Sequence, residues 1–157
     1  MIPTIDQLHL ISGNRSNVEN KNSIIAALEQ FGGRTGLDVP HRLAHYLSQT
    51  SHESGGYRYD EEIASGAAYE GRADLGNVQV GDGKRYKGRG PIQVTGRSNY
   101  QQFTAWCLRT IGPTAPNFEA DPDALNTDPW EGLAPIWYWS TRKLNRLADE
   151  NNIEQIT

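Results

Sequence analysis

The chain has 157 residues and a net charge of −4, with a sequence pI of about 5.5; that is one domain's length and too acidic for a nucleic-acid footprint. Hydrophobic residues make up 36% and charged residues 22%, which reads as globular and excludes disordered or collagen-like chains. The single cysteine, Cys107, excludes an internal disulfide framework and a multi-cysteine zinc site.

The longest apolar run, residues 133–139, is far too short to cross a bilayer. The start, Met1-Ile2-Pro3-Thr4-Ile5-Asp6, has neither a basic n-region nor an apolar h-region. The expectation is therefore one domain over residues 1–157, a monomer made in the cytoplasm, with no stable membrane association and no nucleic-acid partner.

Taken in chain order, the pattern is mostly helical. Thr4 suits the cap of a short helix reaching about Ile11, with Ile5, Leu8 and Ile11 inward. Asn17 or Asn20 suits the cap of a second, in which Ile24, Ile25, Leu28 and Phe31 recur at helical spacing before Gly32-Gly33 is expected to stop it. Pro40 sits where a first-turn proline belongs, ahead of a third helix with Leu43, Ala44, Leu47 and Thr50 as its buried stripe. That helix should end at Ser54-Gly55-Gly56.

From Gly55 to Gly96 the helical pattern fails, and Gly81-Asp82-Gly83 and Gly88-Arg89-Gly90-Pro91 punctuate a stretch suited to loops and a short hairpin. A loop this long inside a compact domain is uncommon and usually functional. Helix returns with Ser98 or Asn99 as cap and Tyr100, Phe103, Cys107 and Ile111 on one side. The last strong helix takes Asp128 as N-cap, Pro129 at its first position and Glu131 closing a capping box; Leu133, Ile136, Trp137, Leu144 and Leu147 form its apolar face. Trp137 reads as core, whereas Trp130 and Trp139 are left open between core and surface. Cys107 reads as a small buried side chain.

Three sets of residues suit chemistry. Glu53 closes a helix in Gln49-Thr50-Ser51-His52-Glu53-Ser54-Gly55-Gly56, and Glu61, Glu62 and Glu70 follow in the irregular stretch. Two carboxylates held across a groove are what glycosidic hydrolysis needs, one to protonate the leaving oxygen and one to activate water or attack carbon. His41, His45 and His52 share a helix face and suggest a zinc site, yet the eleven-residue step spans about 16 Å, too far for one ion. A His41/His45 pair would need an outside carboxylate, and no metal or other cofactor is expected. In the run from Tyr86 to Tyr100, Pro91 and a missing third glycine argue against phosphate binding. Gln93, Thr95 and Asn99 instead supply short polar groups of the kind that bind sugar hydroxyls and acetamido groups and hold a water. The same run also reads as a turn followed by a helix cap.

These motifs together resemble glycoside hydrolase family 19. The runs are Ser51-His52-Glu53-Ser54-Gly55-Gly56, Tyr69-Glu70-Gly71-Arg72-Ala73-Asp74-Leu75-Gly76-Asn77 and the glycine-rich segment from Tyr86 to Tyr100, in the family's order, and the likeness covers roughly residues 40–148. The family contains plant-type chitinases and many phage endolysins. The resemblance implies a mainly α, lysozyme-like domain with two helical lobes, a central cleft and a long Gly-rich loop or small hairpin. It matches Glu53 to the general acid and leaves two positions for the base of an inverting reaction: Glu70, favoured by its Glu-Gly-Arg context, or Glu62, nine residues beyond Glu53.

The resemblance further implies Thr95 as the hydroxyl that holds the water, with His52, Tyr86, Arg89, Gln93 and Asn99 in the substrate cleft. Arg72 and Arg89 stand as partners that keep a carboxylate ionised. The implied substrate is a β-1,4 polymer containing N-acetylglucosamine, with bacterial peptidoglycan, attacked as a wall-lysing endolysin after release, set ahead of chitin. An inactive glycan-binding module is the reading from a different class. Family members continue past an Ile-Glu-X-Ile-Thr segment into Ile-Asn-Gly-Gly, whereas this sequence stops at Thr157, which the resemblance reads as a shortened C-terminal end.

Overall fold

The computed structural model describes residues 2–13 and 17–156; what the sequence suggested for Met1 and Thr157 lies outside the described residues. Helix α1 (Ile5–Ser12) starts at a complete capping box, with Thr4 Oγ1 accepting the Gln7 N–H and Gln7 Oε1 accepting the Thr4 N–H. Leu8 is buried, but Ile11 stays 47% exposed instead of turning inward.

Helix α2 (Val18–Thr35) is capped by Asn17, whose side chain accepts the Glu19 N–H at 2.9 Å. It runs straight through Gly32-Gly33. An internal glycine costs a helix about 1 kcal/mol but does not end it; the end comes at Gly36, where φ is 73° and the left-handed turn demands glycine. The Leu37 N–H then reaches back to the Gly32 carbonyl at 2.8 Å, and the Leu37 side chain is buried. In α3 (Pro40–Glu53) the inward residues are Leu43, Tyr46, Leu47 and Thr50; Ala44, expected inside, is exposed.

Between α3 and α5 (Arg97–Thr110) the described structure consists of loops, two single 3-10 turns (Ala67–Tyr69 and Ala73–Leu75), the four-residue α4 (Asp82–Arg85) and isolated bridges Glu61↔Arg89 and Arg89↔Val94. Helix α5 begins before the expected caps Ser98 and Asn99. Its N-cap residue Gly96 has no side chain, and the Arg97 N–H is satisfied from a distance by Asn77 Oδ1 at 2.9 Å. A cap supplied by another segment leaves no local signal.

A 3-10 turn (Pro122–Asn126) leads into α6 (Trp130–Thr141), α7 (Leu144–Asp149) and α8 (Ile153–Ile156). The capping box expected at Asp128 and Glu131 does not form. Asp128 accepts the Ser23 hydroxyl, and Glu131 is buried with Oε1 making no hydrogen bond. Lys143, at φ 57°, divides what had read as one helix into α6 and α7.

Every residue from Glu131 to Trp137 is buried, as befits a helix enclosed on all sides. Its main neighbour is α2, and the two backbones touch: a Cβ on Gly132 would lie 2.1 Å from the Ser23 carbonyl oxygen. Trp137 is core, as expected. Trp139 is also core, meeting the Tyr46 ring edge-on at 5.6 Å and donating its indole N–H to Asn145 Oδ1 at 2.7 Å. Trp130 is partly buried against Phe118.

Helices α1, α2, α3, α6 and α7 thus form one packed group; α5 and the Pro122–Asn126 turn pack onto α6, while in the irregular segment α4 packs with the Ala67–Tyr69 turn and the Ala73–Leu75 turn packs with α5. No described helix is long and apolar enough to cross a membrane.

Candidate active site

Glu53 occupies the last helical position of α3 and is exposed; Gln49, one turn earlier, donates to its Oε1 at 2.8 Å. The chain then reverses. Gly55, Gly56 and Tyr57 all have positive φ, and a Cβ on Gly56 would come within 2.8 Å of the Ser12 carbonyl oxygen. Tyr57 tolerates this strained backbone because the rest of it is well anchored. Its N–H donates to Ser54 Oγ at 2.7 Å, and its phenol donates to the Leu47 carbonyl at 3.1 Å and lies 2.9 Å from Thr50 Oγ1. Burial pushes that phenol up to about 12. The turn that follows Glu53 is therefore tied to the helix that carries it. Beside Glu53, a cavity of about 240 Å³ is lined by His45, Ser48, Gln49, His52, Ile153 and Ile156.

Beyond the turn, residues 60–62 lie along residues 88–90. The Gly90 N–H donates to the Asp60 carbonyl at 2.5 Å, the Glu62 N–H to the Gly88 carbonyl at 2.9 Å, and the Gly88 N–H to Glu62 Oε2 at 3.1 Å. Tyr69 donates its hydroxyl to the other oxygen, Oε1, at 3.0 Å. Glu61 faces the opposite way, 3.0 Å from Lys87 Nζ and 3.7 Å from Arg89 Nε.

Gly88 also explains how Glu62 meets the polar run. A Cβ there would fall 2.5 Å from Gln93 Oε1 and 3.2 Å from Thr95 Oγ1, so glycine lets these side chains lie close over the backbone that binds Glu62, and a larger residue would push the end of Gln93 aside. Gln93, itself at φ 53°, donates from Nε2 to the Gly90 carbonyl at 3.1 Å; Thr95 Oγ1 donates to the Gln93 carbonyl and Asn99 Nδ2 to the Thr95 carbonyl, both at 2.8 Å. These three side chains are half-buried, positioned by backbone and still reachable.

The other expected site residues stand differently. Both oxygens of Glu70 accept backbone N–H groups, from Gly81 at 2.6 Å and from Gly83 at 2.8 Å, at the start of α4. Tyr86, expected as a cleft aromatic, is only 1% exposed; its hydroxyl donates to the Glu119 carbonyl, and its ring packs on Tyr100 between Arg85 and Arg97. That places the ring in the core, with its hydroxyl end at a cavity lined by Asp82, Arg97 and Glu119.

Arg89 is buried as well, bound to Asp123 Oδ1 at 2.7 Å, the Tyr100 hydroxyl at 2.9 Å and the Arg85 carbonyl at 3.0 Å. These bonds tie its loop to the segments that carry Arg85, Tyr100 and Asp123. Arg72 pairs with Asp74, and the Arg72 guanidinium holds that carboxyl below the usual range. His52 is exposed at the cavity beside Glu53.

His41 bonds Asp149 at 2.7 Å and His45 bonds Asn151 at 3.0 Å. Arg42 occupies the same Asp149 carboxylate through both oxygens, where its charge opposes a second cation. Among the described residues no group of three His, Cys, Asp or Glu side chains is placed to hold a metal ion. Sequence reading missed Tyr57, Tyr69, Asn77 and Gly88, which act through hydrogen bonds to other segments or through the lack of a side chain.

The family model for chitinase class I, glycoside hydrolase family 19, matches residues 13–154. The chain belongs to glycoside hydrolase family 19. A family 19 domain-containing protein of Haemophilus influenzae is 31% identical over 145 residues, 73% of this chain and 67% of that one. An endochitinase of Arabidopsis thaliana is 42% identical over 121 residues, 76% of this chain and 40% of the relative. Among solved structures, chitinase C from Streptomyces griseus superposes with a TM-score of 0.63 at 24% identity, over 87% of this chain and 65% of that one. The family 19 fold, mainly helical and lysozyme-like, is therefore the fold of this chain, which spans less than half the length of its plant endochitinase relatives and about two-thirds of the bacterial ones.

Proposed function

We propose that this family 19 domain hydrolyses β-1,4 bonds in polymers containing N-acetylglucosamine by a single displacement. Glu53 gives its proton to the glycosidic oxygen as the C1–O bond breaks, water attacks C1 from the opposite face, and Glu62 takes a proton from that water. Thr95 helps hold the water, and Gln93, Asn99 and His52 bind the sugar. The observation that carries the choice of base is the difference between two carboxylates. Glu62 is half-buried and takes one bond on each oxygen beside Gln93 and Thr95, and its oxygens keep lone pairs to accept from water. Glu70 is exposed, and both of its bonds come from backbone N–H groups at the start of α4.

Two polymers fit this chemistry. Plant endochitinases among the relatives favour chitin; peptidoglycan carries the same sugar in β-1,4 linkage, and with it the domain would have a wall-lysing role. Mass spectrometry of products from purified sacculi and from chitin, run side by side, identifies the bond and the polymer. Glu53→Gln should abolish turnover on either while oligosaccharide still binds and the melting temperature holds. Retained turnover would remove Glu53 as the acid, and binding without hydrolysis by the unmodified protein would make this a glycan-binding module.

A further inference from the structure

We propose that Tyr69 is a positioning residue for the base, acting through its hydroxyl on Glu62; this rests on the assignment of Glu62 above. The terminal torsion of a glutamate is broad, so one hydrogen bond leaves the carboxylate free to swing. Glu62 has two, on different oxygens and from different segments: the Gly88 N–H on Oε2 at 3.1 Å and the Tyr69 hydroxyl on Oε1 at 3.0 Å. Together they fix the plane of the carboxylate.

The phenol comes from a loop with few apolar contacts, and the loop is itself pinned. The Tyr69 carbonyl accepts from Asn77 Nδ2 at 2.9 Å, and Asn77, fully buried, accepts the first N–H of α5 from Arg97, also at 2.9 Å. Glycines make the junction tight: a Cβ on Gly96 would lie 2.7 Å from the Leu75 carbonyl oxygen, and one on Gly76 would lie 2.1 Å from Ser98 Oγ. Helix α5 carries Asn99 in its first turn and follows directly on Thr95. Tyr69 therefore sets Glu62 in register with the residues proposed to hold the water and the sugar. Burial, and then the bond to Glu62, raise the phenol above its usual value, so it stays a donor through the neutral range. The Tyr-Glu-Gly-Arg motif contributes through its tyrosine, and its glutamate serves the backbone.

Tyr69→Phe removes one oxygen and keeps the ring. On whichever substrate the unmodified protein cleaves, chitooligosaccharide or soluble peptidoglycan fragments, kcat should fall by about 10- to 100-fold, the scale of a misplaced catalytic group, with KM within about twofold. In a Glu62→Gln background the same change should cost nothing further in the residual rate, because the base that the phenol positions is already gone. Tyr69→His, which can still donate from its ring, should recover part of the loss. A raised KM at unchanged kcat would make the ring a sugar platform instead. Full additivity with Glu62→Gln, or no effect of Tyr69→Phe, would overturn the proposal. Activity retained in Glu62→Gln alone overturns the base assignment itself, which is a separate result.

Discussion

Glu70 and Gly83 are bound face to face: Glu70 Oε2 accepts the Gly83 N–H at 2.8 Å, and a Cβ on Gly83 would lie 2.6 Å from the Glu70 nitrogen. With Oε1 taking the Gly81 N–H at 2.6 Å, the carboxylate satisfies donors that a four-residue helix cannot pair internally. Glu70→Gln turns one acceptor into an N–H₂ group facing an N–H. It should cost about 1–2 kcal/mol, a drop of about 2–8 °C in melting temperature, while leaving most of the turnover. Loss of turnover as deep as in Glu53→Gln, with an unchanged melting point, would return Glu70 to the chemistry.

The α2–α6 contact is the second place where one atom decides. Gly132→Ala would set a methyl 2.1 Å from the Ser23 carbonyl oxygen, backbone that cannot rotate away. The helices must part, at about 3 kcal/mol on the scale of an overpacked core. Denaturant unfolding of the purified variant measures this, and an unchanged midpoint would mean that α2 and α6 are less tightly apposed than described.

Glu131 gives stability a pH dependence of defined sign. Burial first, then the charges of Asp60, Asp128 and Glu19, raise its carboxyl from 4.5 to about 7. The folded state then binds this proton more tightly than the unfolded chain does. The contribution is fully present below the unfolded value and is lost as pH rises from about 4.5 through about 7, with no further change above that. Melting temperatures over that interval should fall more steeply for the unmodified protein than for Glu131→Gln. Parallel curves for the two would show that Glu131 ionises as freely when folded as when unfolded.

Periodicity revealed the long helices because their faces are buried in register: Leu43, Leu47 and Thr50 on α3, and Leu133, Ile136 and Trp137 on α6. It failed where structure depends on distant partners. Gly32-Gly33 read as a stop, yet the helix ends where φ turns positive, at Gly36. The α5 cap is Asn77, twenty residues upstream. Tyr86 and Trp139 carried no sign of which side they face, and both are core. The motifs around Glu53 and Thr95 were legible as those of family 19. The choice between Glu62 and Glu70 was not, because both are glutamates in irregular chain and differ in donors that come from elsewhere: the Gly88 N–H and the Tyr69 hydroxyl at Glu62, the Gly81 and Gly83 N–H groups at Glu70.

The contact between Gly56 and Ser12 has a practical reach beyond the site. The Ser12 carbonyl closes off the space where a side chain at position 56 would sit, so the N-terminal helix acts as a doorstop for the bend just past Glu53. Protein engineers who trim α1, graft a tag onto its end or shuffle it between relatives would be adjusting the seat of Glu53, the proposed acid, from the far side, without altering any residue proposed to bind sugar.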